Sequence, residues 1–488
     1  MPTKKLVLTY VDSLRTDMLE RAVAEERAPT FGALLERGTL IADCVSSFPS
    51  VTPVACAEMV TGLAADRHWI SGMNWFHRLE RRYVEYGSSL EATRTVGVFR
   101  ALYDLVYNMN LAHLNPDAET LFERLDDAGV RTACTPFLIY RGRHRHQVSL
   151  DGLLRRAVET TRLKFRHHTW GPAELFYGDL YASREVPCKS TSIPGSRDGY
   201  SACCAAELER RGSYDFLLLS LPDNDNYSHR FGPEASVESI AKADHCFAEL
   251  VEAGGGLDSF LEDHAVILLA DHAQTPVSRG LPLADILARD WTVLAPSDDK
   301  PGQAQLAVSP TGRAAHVYLL PGEGERADRD EVRRRLVETE GVELVCWLDE
   351  EAAAVERGGD KLRFRPGKQL ADLRGARWDL DGDPAVLQAS IEERTFRSDE
   401  YPDALSRVFA AVNAPHAGDF IVSLTPGYEA VDWGGVSHAG GGSHGSLHAG
   451  DSLGPLLFVG CGPEDPAEHP QWTLRDVAPV VLEHFGIG

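Results

Sequence analysis

The chain has 488 residues, 43% of them hydrophobic and 25% charged, which is ordinary for a globular protein and excludes a mostly disordered one. With Lys+Arg 49 against Asp+Glu 73 the formal net charge is −24, so an unspecific grip on nucleic acid or on an anionic membrane surface is excluded. A substrate carrying phosphate would need a local positive field that the chain as a whole denies it, and this points toward metal.

The N-terminal Met-Pro-Thr-Lys-Lys leads straight into the apolar run Leu6 to Val11, which ends at Asp12. That run is too short for a secretory core or a membrane span, and no later stretch reaches the ~18 apolar residues a spanning helix needs. A cytoplasmic protein is expected. Nine cysteines are scattered without a C-x-x-C spacing, and all nine read as reduced packing residues, with the adjacent Cys203 and Cys204 ill placed to staple anything.

Leu6 to Val11 is predicted as the first strand, followed by a helix carrying Thr30, Phe31, Leu34 and Leu35 and stopped at Gly38. Segment 119–135 repeats the unit: Glu119 to Asp127 helical, Gly129 as the stop, Val130 to Cys134 extended. Asp215 to Ser220 and Ala265 to Ala270 have the continuous apolar character of central strands, with Ser236 to Leu250 helical between them, and Pro455 to Val459 is the last core strand. The alternation predicts an α/β fold with a doubly wound, mostly parallel sheet. Between about 280 and 430 the rhythm changes. Ala315 to Leu320 and Val342 to Trp347 read as extended, Asp328 to Thr339 as helical, and Glu350 to about Asp383 as charged and irregular. The expected organisation is therefore a core of residues 1–280 and 430–488, an inserted smaller α+β cap over 281–429, and an aromatic-rich lid over 66–115 carrying Trp69, Trp75, Phe76, Tyr83 and Tyr86.

In open α/β sheets ligands sit beyond the carboxyl ends of the strands. Here those ends carry Asp12, then Asp223, Asp225 and His229, then Asp271-His272, while the loop before the last strand carries His444. Singly each has a plain structural use, as a cap or turn residue. Together, carboxylates mixed with imidazoles suit zinc, with manganese as an alternative, and six such groups suffice for two ions. Thr52 followed by Pro53 reads as a helix start, Thr as N-cap and Pro at the first helical position. Such a start favours an anion, and a hydroxyl there beside a divalent cation can act as a nucleophile.

The set Thr9-Tyr10-Val11-Asp12, Phe48-Pro49-Ser50-Val51-Thr52-Pro53, Asp225-x-x-x-His229-Arg-Phe-Gly232-Pro233, Ala270-Asp271-His272 and His444-Gly445-Ser446 resembles the alkaline phosphatase superfamily, and within it the nucleotide pyrophosphatase/phosphodiesterase branch. The motifs run in the family's order and close with a similar Leu457 to Pro463 strand and turn. The resemblance implies that Asp12, Asp271, His272 and the Thr52 oxygen hold one zinc, and Asp225, His229 and His444 the other. It implies Thr52 as nucleophile, a phospho-threonine intermediate, and two cations ~4 Å apart clamping the attacking and leaving oxygens.

Three positions depart from the family pattern. The family's Pro-Asp precedes its His by four residues, whereas Pro222-Asp223 lies six before His229, so Asp225 is the better match and Asp223 the second choice. Asp271-His272 is followed by Ala273-Gln274 where relatives usually carry Gly-Met. The Asn that contacts the transferring phosphoryl follows a His by five residues in relatives, while Asn74 follows His68 by six. Arg141 to His146 and Arg166 to His168 are the local basic clusters, read either as a solvated face or as a rim attracting an anionic leaving group. His245, His264, His438 and His448 are taken as non-ligands.

The expected activity is a two-metal hydrolase acting on a small phosphorylated substrate, diesters ahead of monoesters. The alternatives are a carbon–phosphorus hydrolase resembling phosphonoacetate hydrolase and an inactive metal-binding scaffold of the same fold. The absence of C-x-P-x-R argues against a sulfatase, and Thr in place of Ser against a phosphomutase. Leaving group and oligomeric state carry no readable motif.

Overall fold

Short apolar runs at both ends and in the middle of the chain meet in one sheet. In the computed structural model, which describes residues 3–147, 168–177, 181–189, 197–298, 301–322, 324 and 326–488, the strands are β1 (Lys5–Val11), β2 (Thr39–Val45), β3 (Thr132–Cys134), β4 (Glu174–Tyr177), β5 (Tyr181–Ala182), β6 (Phe216–Leu221), β7 (His264–Leu269) and β8 (Leu453–Val459). Their order is β2-β8-β7-β1-β6-β3-β4-β5. β7, β1, β6, β3 and β4 run parallel, and β8 is antiparallel to both of its neighbours.

The central strands are apolar at every position because both faces are covered. Leu6, Leu8 and Tyr10 of β1 join one core, while Val7 and Val11 enter another on the opposite face; β6 divides likewise, Phe216 and Leu218 against Leu217 and Leu219. The helix Thr52–Thr61 closes the first face with Val54, Ala55 and Met59, and the helix Val237–Ala253 closes the second with Ile240, Phe247 and Leu250. A fully buried aliphatic side chain contributes roughly 1.5–3 kcal/mol, so these runs fix the sheet before any site is considered.

A second, nine-stranded sheet is built from strands between Leu306 and Leu424. It corrects the expectation of an irregular stretch from Glu350 to Asp383, which folds as the strands Ala352–Arg357, Asp360–Asp372 and Arg377–Gly382. The charge there obscured a period of two: Ala353, Val355, Leu362 and Phe364 are buried, while the cross-strand neighbours Glu356 and Lys361 pair at 3.6 Å and Arg363 pairs with Asp349 at 2.7 Å. The aromatic segment contributes the hairpin Asn74–His77 with Arg82–Glu85, and the Tyr83 hydroxyl bonds Leu294 O and Val308 N at 3.0 Å each.

The cysteine expectation is also corrected. Cys188 and Cys203 form a disulfide, while the other seven are free thiols. Cys203 and Cys204 lie on one helix, Arg197–Arg210, where successive side chains diverge by about 100°; one reaches the segment 183–189 and its neighbour packs into the core. No helix among the described residues is long and apolar enough to cross a membrane.

Candidate functional site

Because β1, β6 and β7 are parallel neighbours, their carboxyl ends open on one side, and Asp12, the helix Asp223–Phe231 and Asp271-His272 follow directly from them. Asp225 and His229 are one helical turn apart on that short helix and face the same way. The fourth element is the loop carrying His444. It is held from the second sheet, where Arg313 N donates to His444 O at 2.6 Å and the fully buried Arg313 side chain pairs with Asp451 at 2.5 Å. The other Asp451 oxygen accepts Ser446 N and Oγ at 2.9 and 2.6 Å. Contact here is backbone to backbone: a Cβ on Gly312 would lie 2.2 Å from His444 O and one on Gly445 2.6 Å from Thr311 O, both glycines having positive φ.

These elements bring the expected groups together. His272 Nε2 lies 3.1 Å from Asp271 Oδ2, 3.9 Å from Asp12 Oδ1 and 3.3 Å from Thr52 Oγ1. Asp225 Oδ1 lies 3.3 Å from His229 Nε2 and 3.6 Å from His444 Nε2. One ligand atom each from Asp12, Asp271 and His272 converges within 4.8 Å, and so do Asp225, His272 and His444. The His272 and His444 rings stack at 3.7 Å, so the two groups form one continuous cluster. Thr52 is the first residue of its helix and not its N-cap: Val51 takes that place, and the Thr52 hydroxyl makes no capping bond and turns to His272. Asp223 bonds Asp198 N and Arg197 instead, and lies outside these convergent groups.

The donor set fits divalent cations. His444 donates Nδ1–H to Ser50 O at 2.8 Å and His272 to Ala273 O at 3.2 Å, so these two present a bare Nε2, while His229 donates Nδ1–H to Gly442 O at 2.8 Å and turns its Nε2 to Asp225. Asp12 Oδ1 is buried without a hydrogen-bond partner among the described residues. Burial, then the charges of Asp271 and Asp225, raise the Asp12 carboxyl well above its usual range, and burial lifts Asp271 to about 7. Burial likewise holds His272 down at about 4 and His444 at about 3, neutral and ready to ligate. Burial opposes ionisation of Asp225, yet His229 holds it well below the carboxylate range, and Asp225 in turn carries His229 up to about 9 against its own burial. Crowded carboxyls held short of ionisation beside the neutral His272 and His444 are groups that a bound cation would help to ionise.

His229 also meets Glu429 and His438, two residues that no motif marked. Glu429 already accepts His438 Nδ1 at 2.8 Å, His438 N at 2.5 Å and Ser443 Oγ at 2.6 Å, which takes three of its four acceptor positions, and the His438 ring lies 4.0 Å from that of His229. Ser13, Tyr10 and Gln274 were likewise missed as parts of the site: Ser13 bonds Asp225 and Asp271, Tyr10 bonds Asp271, and Gln274 bonds Asp225. Their signal in the sequence is a place within two residues of a ligand.

Above the cluster opens a cavity of about 910 Å³. Asp12, Thr52, Asp225, His229 and His444 form its floor, and Met73, Leu102, Leu105, Phe137, Leu138 and Tyr177 an apolar wall. Asn74 is buried beside Glu85, while its neighbour Met73 and Tyr86, Gly87 and Ser88 reach the cavity. Among the described residues, the basic clusters do not form its rim. Arg141 pairs with Glu123 and Arg143 with Glu119, Glu123 and Asp127, which makes them a brace on one helix; Arg166 and His167 lie outside the described residues. The described arginines lining the cavity are Arg197 and Arg230.

A sequence model of the family described as type I phosphodiesterase / nucleotide pyrophosphatase matches residues 6–447, most of the chain and every residue of this cluster. The chain belongs to that family. Membership makes it a hydrolase of the alkaline phosphatase superfamily, in agreement with the motifs from Thr9 onward. Comparison with curated proteins gives no match. Among solved structures, phosphonoacetate hydrolase from Sinorhizobium meliloti 1021 matches in complex with phosphonoformate and in complex with phosphonoacetate. Each match has a TM-score of 0.56 and 16% identity, covering 98% of this chain and 95% of that one. At that identity the likeness establishes the fold.

Proposed function

We propose that this family member is a two-metal hydrolase of phosphate esters, phosphodiesters ahead of monoesters, that works through a phospho-threonine at Thr52. The observation that carries the reading is the position of the Thr52 hydroxyl, at the positive end of a helix, on the cavity floor, and 3.3 Å from His272. Asp12, Asp271, His272 and Thr52 would hold one ion, with zinc the best match to the donors, and Asp225, His229 and His444 the other. Such a pair supplies positive charge opposite the phosphoryl oxygens and makes a neighbouring hydroxyl more acidic.

On this reading Thr52 Oγ1 loses its proton to solvent as it bonds to phosphorus, and the bond from phosphorus to the leaving oxygen breaks. A water then attacks phospho-Thr52, restoring the hydroxyl and releasing the phosphate product. Hydrogen bonds to backbone carbonyls keep His229 and His444 in one tautomer throughout. Residues 281–429 act as the cap that anchors the His444 loop, and residues 66–115 supply, with Phe137, Leu138 and Tyr177, the wall against which the leaving group rests. Asn74, held back beside Glu85, would support that wall, with phosphoryl contact as its further proposed role.

Carbon–phosphorus hydrolysis is the second reading, because the same nucleophile and ligand set would serve it and the matching solved structures are of a phosphonate hydrolase. Zinc content together with rates on bis-p-nitrophenyl phosphate, p-nitrophenyl phosphate and phosphonoacetate tests both. Diester turnover lost in Thr52→Ala supports the first reading; turnover unchanged in that variant overturns it.

A further inference from the structure

Asp225 is gripped by two residues that the ligand motifs do not contain. Ser13 follows Asp12, is almost fully buried, and sits at φ +58°, a left-handed conformation that is strained for a non-glycine residue. Its Oγ lies 2.8 Å from Asp225 Oδ1 and 3.2 Å from His272 Nδ1, and its backbone N donates to Asp271 Oδ1 at 3.2 Å. One residue thus touches three of the proposed ligands, drawn from both ion sites. Gln274, also buried, donates Nε2–H to Asp225 Oδ1 at 2.7 Å and to Ser13 Oγ at 3.1 Å, while its Oε1 has no partner among the described residues. The amide is therefore held by what it donates.

The proton bookkeeping of this knot has one solution. An ionised Asp225 only accepts, so the single Ser13 hydroxyl proton goes to it. Toward Gln274 and His272 the Ser13 oxygen can then only accept, and it has two lone pairs for them. His272 must therefore carry its proton on Nδ1, the same choice that Ala273 O enforces, and Nε2 is left bare on the side of Thr52, Asp12 and Asp271.

We propose that Ser13 and Gln274 form a polar clamp that locks the Asp225 carboxylate and the His272 ring in register before any cation arrives, and that this positioning sets how tightly the centre binds divalent ions. The proposal rests on the metal-centre reading above. It accounts for a serine in a conformation that glycine would adopt without strain, and for a buried amide in the turn after His272.

The test measures zinc affinity by competition with a chromophoric chelator, and the melting temperature of the metal-free protein, for the full chain and for Ser13→Gly, Ser13→Ala and Gln274→Met. Glycine removes the hydroxyl and relieves the left-handed strain, alanine removes the hydroxyl and keeps the strain, and methionine conserves volume without donors. The expected result is a zinc affinity about 10–100-fold weaker in all three, the range typical of groups that orient a ligand, with Ser13→Gly melting no lower than Ser13→Ala. A purely structural serine would give the same melting order with the zinc affinity unchanged in all three variants, so the affinity decides. Wild-type protein binding two zinc ions alongside variants of equal affinity overturns the clamp alone. Wild-type protein binding none overturns the metal-centre reading and the clamp with it.

Discussion

The two halves of the cluster solve the same electrostatic problem in opposite ways. Around Asp12 and Asp271 burial pushes both carboxyls up, the charge of Asp271 adding to the rise at Asp12, and the adjoining imidazole, His272, is held neutral. Around Asp225 the charge is already balanced, because His229 is pushed up to about 9 as Asp225 goes down. The difference teaches that the first half gains most from a bound cation, whereas the second is an ion pair able to stand alone. Both halves lie within one hydrogen-bonded cluster, so the contrast comes from local partners and not from depth of burial.

The largest effect is expected at the residue that both halves serve. Thr52→Ala should lower kcat for a phosphodiester by at least about a thousandfold while leaving zinc content near that of wild type, measured by steady-state rates and elemental analysis. The comparison itself is broken or sharpened by a matched pair of variants followed by thermal melting of metal-free protein at pH 8. Asp225→Asn removes the charge that holds the His229 proton and should destabilise, by about 1–2 kcal/mol at that pH. Asp271→Asn removes a carboxylate that ionises against its surroundings and should stabilise, by up to about 4 kcal/mol. Equal signs for the two would show that the halves do not differ.

A smaller effect separates burial from demand for metal. Glu58, on the helix that carries Thr52, is raised to about 7 by burial, with Arg475 and Arg407 as partial offsets. Between about pH 4 and pH 7 the native state therefore holds a proton that the unfolded chain has released. Stability falls as pH rises through that window, by about 3 kcal/mol in all. Glu58→Gln should flatten that slope in urea titrations and leave the response to zinc unchanged. The smallest effect is a control: Arg21→Ala, which removes the exposed pair of Arg21 with Glu25, should shift stability by less than about 1 kcal/mol.

Much of this was legible in the sequence, for a physical reason. Central strands of a doubly covered sheet must be apolar on both faces, so Phe216–Leu221 and His264–Leu269 stand out, and their ends point to Asp225 and Asp271-His272. The second sheet was partly hidden because its outward positions carry charges such as Lys361 and Arg363, and cross-strand pairing is invisible along the chain. Thr52 was read correctly as a helix start but assigned to the wrong cap position, since Pro53 is tolerated at the second helical residue as well as the first. Ser13, Gln274 and Glu429 act through what they touch, and touching is settled by strand order. The disulfide was missed because adjacent cysteines look redundant until a helix turns them apart.

The claim on which the account depends is that two cations occupy this cluster. Anomalous diffraction at the zinc edge, from crystals of the full chain grown with zinc, tests it most directly. The account expects two peaks beside Thr52, one among Asp12, Asp271 and His272 and one among Asp225, His229 and His444. No peak there, or a peak held only by His229, Glu429 and His438, would contradict it.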